Sequence, residues 1–564
     1  MDNPQGSGRI TRARLGLRLA TALAVAVPLS IGGTAAADTE PTATAAGAPA
    51  AATTAEWTTP QWATAEWTTP QWATAEWTTR VVAPGVEVRT GTLRNPAAAP
   101  SWTVTVQAPV TARFTGAAAW AAVGTESWAE ETAGRLRAAG FEPTMSRIPW
   151  PGYADVPSGL MGVRVRVGSY PSQDAAKSVA SRVTAAGFRA VVEWSGYDAD
   201  QPADVENVHV AVIDPRTFRG SVEATHDADV TDRETTSSVA ARHGSLVGVN
   251  GGFFITSDAD GVQGTPAGIS AHDGELASMA AGARAALILA DGGRRSRIAD
   301  LTTTVTARAG RSTAAVRGVN RTPGLVRNCG QPGATPTEEP RQDVTCTKTD
   351  DLVKFTAEYV HALPTGPGVQ VVLDAKDRVV SVGGRGGTVP PAHTVLQGIG
   401  PAADWLTANA VVGGKIAVTE VIRDTDGRQV KLGRGDSIVS AAPTLVEDGR
   451  VHIDAAAEGV VDPADLSFGY AWANNRQPRT MAGIDQRGRL LLVTVDGRLS
   501  GGSEGFTLAE GAAFMRSLGA VQALNLDGGG SSAMAVDGVL VNRPSDAAGE
   551  RAVGDTIQVL PRTR

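Results

Sequence analysis

One segment near the end of the chain constrains its fold and its chemistry more than any other. Residues 525–532 read NLDGGGSS and follow the apolar stretch Ala520–Leu524. The apolar stretch predicts a strand, and the glycines let the following backbone approach a ligand closely and adopt dihedral angles closed to bulkier residues. Asp527 would then lie where the strand becomes a loop. The alternative is a tight turn whose hydroxyls cap its own amides.

A second segment of the same character lies far upstream. Residues 247–254 read VGVNGGFF, again a short apolar run that ends in a polar residue and paired glycines. Two strand ends of this kind suggest one shared site to which both contribute. Asn250 would hold a sugar hydroxyl or a phosphate oxygen there, and its alternative role is an Asx turn leading into Gly251 and Gly252.

Four further short motifs accompany these two. In chain order the six are NGGFF at 250–254, RTMAGI at 479–484, VDG at 495–497, TLAE at 507–510, NLDGGGSS at 525–532 and PSD at 544–546. In this order they resemble the phosphodiester glycosidases, a family that includes the lysosomal enzyme which removes N-acetylglucosamine from a sugar phosphodiester. The resemblance covers roughly residues 205–561, and it depends on the order of the motifs because no single one would suffice.

Cleavage of a glycosyl phosphodiester sets chemical requirements that can be compared with these residues. The reaction needs a carboxylate to stabilise an oxocarbenium-like state or to place a water molecule, and it needs groups that neutralise the departing phosphate. Arginines and backbone amides donate several hydrogen bonds to phosphate oxygens. Asp527, the amides of residues 528–531, and Arg479 with Arg551 supply these groups. Because phosphate is a good leaving group, one essential carboxylate could suffice.

The resemblance and the residue types together give a set of candidate site residues. The catalytic candidates are Asp527, Asp496 and Glu510; the substrate-binding candidates are Asn250, Gly251, Gly252, Arg479, Thr480, Thr507, Asn525, Gly528, Gly529, Gly530, Ser531, Ser532 and Arg551. Two of these have open alternatives. Glu510 would also complete a capping box with Thr507 at the start of a helix, and Asp496 would also open a hairpin turn.

The sequence predicts no cofactor. None of the seven histidines shows a paired spacing for zinc such as His-x-x-x-His. Two short acidic loops, 258–261 and 424–427, offer oxygen ligands that calcium prefers, but neither completes a twelve-residue calcium loop, so solvated turns are favoured. Ser531 and Ser532 lack the Gly-x-Ser-x-Gly pattern of a serine nucleophile.

The start of the chain predicts export. Four arginines precede the apolar run Leu19–Ile31, and small residues follow at 35–37, which is typical of a secretory signal peptide spanning residues 1–37. No later stretch reaches the roughly twenty apolar residues that a membrane-spanning helix needs. The protein is therefore expected to be secreted and associated with the cell wall.

Residues 38–100 are rich in alanine, threonine and proline and contain a ten-residue repeat. The repeat occupies Ala55–Thr64 and Ala65–Thr74, and it begins again at Ala75. Such composition leaves little to bury and predicts an extended linker. The regularly spaced tryptophans could stack on sugars, and the alternative is an expanded repeat without a ligand.

Residues 101–198 show alternating strand and helix patterns. Strands are predicted at Trp102–Val106 and Val163–Val167, and helices at Thr125–Ala139 and Ser172–Ala186. The two βα halves resemble the SPOR domain, which has βαββαβ order and binds peptidoglycan. The alternative is a small α+β domain that only separates the catalytic domain from its linker.

The remaining part, residues 205–562, is rich in short apolar runs separated by glycine-rich turns, with one clear helix at Leu508–Leu518. These features predict an α+β fold with a mixed-sheet catalytic domain. The two cysteines, Cys329 and Cys346, predict a disulfide in an exported protein, placed in an insertion away from the chemistry.

The function expected from all these features is hydrolysis of sugar 1-phosphodiesters in cell-wall or exopolysaccharide glycans, by an enzyme held near peptidoglycan. A non-catalytic protein that binds wall glycans is the alternative. A formal charge of −7 with mixed signs argues against a nucleic-acid partner.

Overall fold

The structure is a computed structural model that describes residues 74–113, 115–330 and 339–562. The predicted signal peptide and most of the predicted linker lie outside the described residues. The fold is mostly β-sheet with few helices, so the predicted α+β class is matched only loosely. No helix within the described ranges is long and apolar enough to cross a membrane.

A central antiparallel sheet of eight strands carries the main hydrophobic core. Its strands, in spatial order, are Thr74–Ala83, Val86–Arg94, Val205–Ile213, Leu490–Val495, Arg479–Asp485, Ala520–Asn525, Thr444–Glu447 and Arg450–Val451. The helix Leu508–Ser517 packs against strands Ala520–Asn525 and Thr444–Glu447 with its buried residues Phe514 and Met515. This layer fixes the strand that leads directly to Asp527.

Five strands form a second sheet beside the central one. In spatial order they are Ser221–Thr225, Thr556–Leu560, Val247–Asn250, Met534–Val536 and Val539–Leu540. The short helix Thr236–His243 lies against Val247–Asn250 and ends at Gly244, whose φ of 62° is the left-handed conformation that glycine adopts readily. This sheet delivers Asn250 to the region of Asp527.

Two further sheets and two pairs of short strands complete the part from residue 221 onward. The first has the strands Glu275–Ser278, Ser270–His272, Ser437–Ser440, Arg284–Ala290, Arg295–Ala309, Ala417–Asp424 and Gln429–Val430, with Ser312–Val316 paired to Arg295–Ala309. The second has Gly318–Val319, Asp351–Phe355, Thr394–Ile399, Val369–Leu373 and Val379–Gly383, with the helix Pro401–Asn409 beside it. The pairs are Glu234–Thr235 with Ala552–Val553, which are distant in the chain, and Leu325–Cys329 with Pro340–Thr347, which form a hairpin. Among the strands that the structure describes, the one parallel pair joins Gly318–Val319 to Asp351–Phe355.

The prediction of an extended linker up to residue 100 is wrong for residues 74–94. They form two strands, and the second pairs in antiparallel register with Val205–Ile213 at the edge of the central sheet. Val86, Val88 and Leu93 are buried in the main core, and Trp77 packs over Gly91, where a Cβ would lie 2.7 Å from its ring. The last copy of the tryptophan motif is therefore part of the folded domain, because its alternating pattern buries one face of a strand.

Residues 101–198 form a four-stranded antiparallel sheet covered by two helices. The strands, in spatial order, are Pro143–Pro149, Leu160–Tyr170, Trp102–Val106 and Ala190–Trp194, and the helices are Glu126–Ala138 and Gln173–Ala185. Thr125 and Ser172 cap the helices through their side-chain oxygens, at the positions where the sequence predicts the helices to start. A hairpin of Ala108–Thr111 with Ala118–Ala121 is inserted after the first strand.

The predicted disulfide is present in the structure. Cys329 and Cys346 join the two strands of a hairpin across a Cα–Cα distance of 5.8 Å. The short helix Tyr470–Ala473 and the 3-10 turns Ser195–Tyr197 and Gly529–Ser531 complete the helical elements of the described ranges.

Candidate active site

The two strand ends singled out in the sequence meet in the structure. The side-chain amide of Asn250 donates to the carbonyl of Asp527 at 2.8 Å, and the amide of Asp527 donates to the carbonyl of Gly251 at 3.0 Å. Strand Ala520–Asn525 of the central sheet and strand Val247–Asn250 of the second sheet thus end beside each other. The loop that carries Asp527 is held from both sheets.

Asp527 is a partly buried carboxylate at the start of the glycine turn. Burial raises its pKa from 3.8 to about 7, opposed by the nearby Ser531 hydroxyl and by the amide of Gly528, which donates to Oδ1 at 2.9 Å. The negative charge of Asp343 raises this pKa further, and the charge of Arg551 lowers it. A carboxyl group with a pKa near 7 can exchange a proton at neutral pH.

The glycines of the turn make room for two arginines. A Cβ on Gly529 would lie 3.1 Å from Nη2 of Arg498, and a Cβ on Gly530 would lie 2.2 Å from Nη2 of Arg551. Gly529 also has a φ of 62°, which favours glycine. Both positions require glycine because a side chain would push the guanidinium groups away from the turn.

Arg498 and Arg551 are each held by one neighbour. Arg498 is exposed and donates through Nε to Gln477 Oε1 at 2.5 Å, while Arg551 donates through Nε to Asp546 Oδ2 at 2.8 Å. Arg498 interacts electrostatically with Asp527 and Asp546. The sequence prediction included Arg551 but missed Arg498. The position of Arg498 directly after the VDG motif was the signal that could have identified this residue.

Arg479, which was predicted to bind a departing phosphate together with Arg551, has a buried side chain. Its side chain is 1% exposed, donates through Nε to the carbonyl of Phe506 at 2.8 Å and stacks on Trp472, with 4.8 Å from Cζ to the ring centroid. Burial lowers its pKa to about 9. Arg479 supports the segment beneath the glycine turn, since its hydrogen-bonding nitrogens face backbone carbonyls of the interior.

Glu510 caps the helix Leu508–Ser517. It forms the capping box with Thr507, whose Oγ1 accepts from the Glu510 amide at 3.1 Å, and its Oε2 accepts from the Thr507 amide at 2.9 Å. Arg476 donates to both carboxylate oxygens, at 2.6 Å from Nη2 to Oε1. The alternative of a structural cap is confirmed, and the same cap engages Thr507, which was predicted to bind substrate.

Asp496 is buried, with 4% exposure, and holds a neighbouring segment. Its Oδ1 accepts from the amide of Arg543 at 3.0 Å and lies 3.8 Å from Nε2 of His209. It therefore positions the segment that leads to Asp546 and Arg551. Its role as a second catalytic carboxylate stays a prediction.

Other predicted substrate-binding residues form the scaffold of the loop. Asn250 is fully buried, and its Oδ1 accepts from Thr480 Oγ1 at 2.6 Å and from the Ala533 amide at 3.1 Å. Asn525 donates to the carbonyl of Ala442 at 2.8 Å. The hydroxyls of Ser531 and Ser532 belong to nearly fully buried residues. Gly252 donates its amide to Asp555 Oδ1 at 2.8 Å. Asn250, Thr480 and Asn525 are fully buried, and their contact with a substrate stays a prediction.

The disulfide hairpin lies closer to the site than predicted. Asp343, on the strand that carries Cys346, is near enough to Asp527 for its charge to raise the pKa of that carboxyl. Asn328 anchors the hairpin by donating to the carbonyl of Ala267 at 2.6 Å and accepting from the amide of Asp343 at 3.0 Å. The charge of Asp343 thus links this insertion to Asp527.

Comparison with known proteins agrees with this geometry. Residues 367–560 match the family described as phosphodiester glycosidase, and residues 120–192 match the SPOR domain. The first match contains Arg498, Asp527 and Arg551. Residues 367–560 therefore form a phosphodiester glycosidase domain, and residues 120–192 form a SPOR domain. The strand Val247–Asn250, which holds the Asp527 loop, lies outside that matched range.

Two curated relatives of this glycosidase carry the same printed name, N-acetylglucosamine-1-phosphodiester alpha-N-acetylglucosaminidase. The protein from Bos taurus is 34% identical over 138 residues, which cover 24% of this chain and 24% of the relative. The protein from Homo sapiens is 31% identical over 137 residues, which cover 24% of this chain and 25% of the relative. The chain thus matches about a quarter of the length of these relatives.

A solved structure matches a much larger part of the glycosidase. It is a crystal structure of a Burkholderia pseudomallei protein named "Putative exported protein", with 32% sequence identity and a TM-score of 0.74. The alignment covers 88% of this chain and 100% of that chain. The arrangement of sheets described above is therefore shared over almost the whole described part of the glycosidase.

The SPOR region and the glycosidase region are joined beneath the candidate site. Arg476, which pairs with Glu510, also donates through Nη1 to the carbonyls of Gly196 at 2.7 Å and Asp198 at 2.8 Å. Trp194 donates through Nε1 to Glu504 Oε1 at 3.0 Å. The end of the SPOR region is thereby bonded to the same segments that support the glycine turn.

Proposed function

We propose that this protein is an exported hydrolase that cleaves the glycosyl–phosphate bond of sugar 1-phosphodiesters. The observation that carries the proposal is the position of Asp527, a partly buried carboxylate whose pKa is raised to about 7, beside a glycine turn approached by Arg498 and Arg551. This arrangement combines a group that exchanges a proton at neutral pH with two cations that suit a phosphate.

The proposed reaction uses these groups in one displacement. Arg498 and Arg551 bind the phosphate oxygens, and Asp527 faces the anomeric carbon in its ionised form. A water molecule adds to the anomeric carbon and gives its proton to Asp527, while the bond between that carbon and the phosphate oxygen breaks. The electron pair leaves with the phosphate monoester, whose charge the two guanidinium groups stabilise. The products are the free sugar and the phosphate monoester.

The proposed substrates are cell-wall or exopolysaccharide glycans that contain an anomeric phosphate, with N-acetylglucosamine as the first sugar to test. The printed names of the curated relatives support this sugar. The SPOR domain supports a location near peptidoglycan, and the predicted signal peptide and the name of the Burkholderia relative support export to the cell envelope. We place the domain boundaries at residues 101–198 for the SPOR domain and 205–562 for the glycosidase domain, which residues 74–94 complete.

The test is release of free sugar from an N-acetylglucosamine 1-phosphodiester by the chain without its predicted signal peptide. A fragment that begins at residue 205 is unsuitable because it would remove the two strands at 74–94 that pair with Val205–Ile213. Asp527→Asn should lower kcat by about two to four orders of magnitude. The matched control is Asp537→Asn, since Asp537 is a surface carboxylate with an exposed arginine partner, Arg80. Release that both variants retain equally would overturn the role of Asp527. Absence of release from every sugar phosphodiester, with glycan binding intact, would favour the non-catalytic glycan-binding alternative.

A further inference from the structure

Three potential metal ligands from distant parts of the chain converge away from Asp527. His226 directly follows strand Ser221–Thr225, His272 ends strand Ser270–His272, and Glu358 follows strand Asp351–Phe355. His226 Nε2 lies 2.9 Å from Glu358 Oε2, and His272 Nδ1 lies 3.5 Å from Glu358 Oε1. Each residue thus comes from a different sheet, and Glu358 stands between the two imidazole rings.

The spacing of these atoms fits a small tetrahedral metal ion. One ligand atom from each of the three residues lies within 4.8 Å of the other two. Zinc binds histidine nitrogen and carboxylate oxygen at about 2.0–2.2 Å, so neighbouring ligands of a tetrahedral site are separated by roughly 3.3 Å. The two imidazole rings are 5.5 Å apart between centroids and inclined at 70°, so they approach one point from different directions. Two imidazole nitrogens and one carboxylate are donors that zinc favours.

The surroundings of the three residues favour a cation. The side chain of His226 is 1% exposed, while those of Glu358 and His272 are 17% and 21% exposed, so the cluster is largely shielded yet reachable. A cavity beside His226 is lined by five further carboxylates, Asp227, Asp229, Asp232, Glu234 and Asp555, and by one cation, Arg242, which pairs with Asp227 and Glu234. Glu223 and Asp273 also interact electrostatically with His272. Such a cavity attracts a cation and can supply the water that completes its coordination.

We propose that His226, His272 and Glu358 bind one divalent metal ion of the zinc class, with water as the fourth ligand. The ion would connect three sheets that are also joined here by the hydrogen bond from the Val230 amide to the Glu358 carbonyl, at 3.0 Å, and by the apolar packing of Val230, Ala277 and Phe355. Its role is structural, because a metal that binds the folded chain stabilises the folded state.

No local motif indicates this site. Glu358 is 132 positions from His226 and 86 positions from His272, so a search for closely paired histidines cannot find it. The acidic loops considered for calcium use their carboxylates differently. Asp260 lies 3.1 Å from Arg327, and Asp424 lies 3.4 Å from Arg297.

The first measurement is the metal content of the full chain, purified from zinc-supplemented medium, dialysed and analysed by inductively coupled plasma mass spectrometry. We expect about one zinc ion per chain, loss of the metal in His272→Ala and Glu358→Gln, and retention in His361→Ala, an exposed histidine elsewhere on the surface. The chelator EDTA should lower the Tm of the unmodified chain, and added zinc should restore it. Neither treatment should change the Tm of Glu358→Gln.

A second measurement keeps the proposal testable if these variants fold poorly. Cobalt(II) added to the chelated unmodified chain should give the visible absorption of a tetrahedral nitrogen and oxygen site, and zinc should displace it. A chain that holds no zinc and whose Tm is unaffected by EDTA would overturn the proposal and leave a hydrogen-bonded His–Glu–His bridge. None of these measurements uses sugar release, so the proposal stands or falls separately from the proposed glycosidase activity.

Discussion

Two carboxylate–arginine groups lie close together in the glycosidase domain, and they differ in how fully their hydrogen bonds are used. Glu510 is buried, caps a helix and receives three hydrogen bonds from Arg476. Asp527 receives a hydrogen bond from its neighbour Gly528 and lies where the guanidinium groups of Arg498 and Arg551 approach the glycine turn. Both carboxylates lie in motifs of the same family pattern.

The difference shows how to separate a structural carboxylate from a reactive one. A buried charge is tolerated when hydrogen bonds and an opposite charge compensate for its lost hydration. Glu510 has both, so it stabilises the helix and the junction with the SPOR region. The hydration that the Asp527 carboxylate loses on burial is only partly compensated, and its pKa is therefore raised.

The largest change in stability is expected from breaking the buried ion pair between Glu510 and Arg476. Glu510→Gln leaves the charge of Arg476 without its partner inside the protein and should lower the free energy of unfolding by about 3–5 kcal/mol. Chemical denaturation would measure this. The kcat of the remaining folded protein should stay within a few-fold of the original.

The matched control is Glu126→Gln, because Glu126 pairs with Arg147 and both side chains are exposed, at 53% and 64%. It should cost about 1 kcal/mol or less. If Glu510→Gln instead kept its stability and lost its activity, the comparison would fail and Glu510 would return as a catalytic candidate.

Substitution of the arginines beside Asp527 should affect activity rather than stability. Arg498→Ala and Arg551→Ala should each lower kcat/KM by about 10- to 100-fold, which corresponds to about 1.4–2.7 kcal/mol of transition-state stabilisation. Their free energies of unfolding should change by about 0.5 kcal/mol or less. Arg428→Ala, at a surface pair with Asp426, serves as the control and should leave kcat/KM unchanged. A loss of stability that matches the loss of activity would show these arginines to be structural.

The pH dependence tests the state of Asp527 directly. Its pKa is raised from 3.8 to about 7, so the ionised fraction increases as the pH rises through 7. Because the proposed reaction needs the ionised form, kcat/KM should rise about tenfold per pH unit below 7 and level off above it. A profile that falls through pH 7 would make Asp527 a general acid.

The same shift predicts a stability change of known sign. The folded pKa lies above the unfolded value, so the contribution of Asp527 to stability is fully present below pH 3.8 and is lost as the pH rises through about 7. Asp527→Asn should therefore be more stable than the unmodified chain at pH 8, and the difference should disappear at low pH. Thermal unfolding at the two pH values would measure it.

The smallest effect concerns the disulfide hairpin. Asp343→Asn removes a negative charge that raises the pKa of Asp527, so the midpoint of the pH profile should move down by a few tenths of a unit. The side chain of Asp343 is 72% exposed, and added salt should therefore reduce the shift. Asp537→Asn should give no shift, and an equal shift in both variants would mean that the overall charge of the protein is responsible.

Sequence reasoning performed best where structure is decided locally. The helix predicted at Ser172–Ala186 is observed at Gln173–Ala185 with Ser172 as its cap, and the strand Trp102–Val106 has the predicted bounds. It performed worst where distant partners decide. Residues 74–94 have the composition of a linker, yet pairing with Val205–Ile213 makes them part of the central sheet.

Within the candidate site the same division holds. The motifs identified which strand ends meet and placed Asp527 at a strand end, because apolar runs and glycines act on the nearest residues of the backbone. They could not distinguish Asp527 from Asp496 and Glu510, because the role of a carboxylate depends on its burial and on the donors that reach it. Those donors, Arg476 for Glu510 and the Arg543 amide for Asp496, arrive from other segments.

The sequence by itself determined the capped helices, several strands and the disulfide pair. It also determined the resemblance to the phosphodiester glycosidases and the convergence of Asn250 with Asp527. Only the tertiary structure decided that Arg479 is buried, that Arg498 reaches the glycine turn and that His226, His272 and Glu358 come together. The physical reason is that local backbone preferences act over a few residues, whereas solvation, charge pairing and metal coordination depend on side chains brought together across the fold.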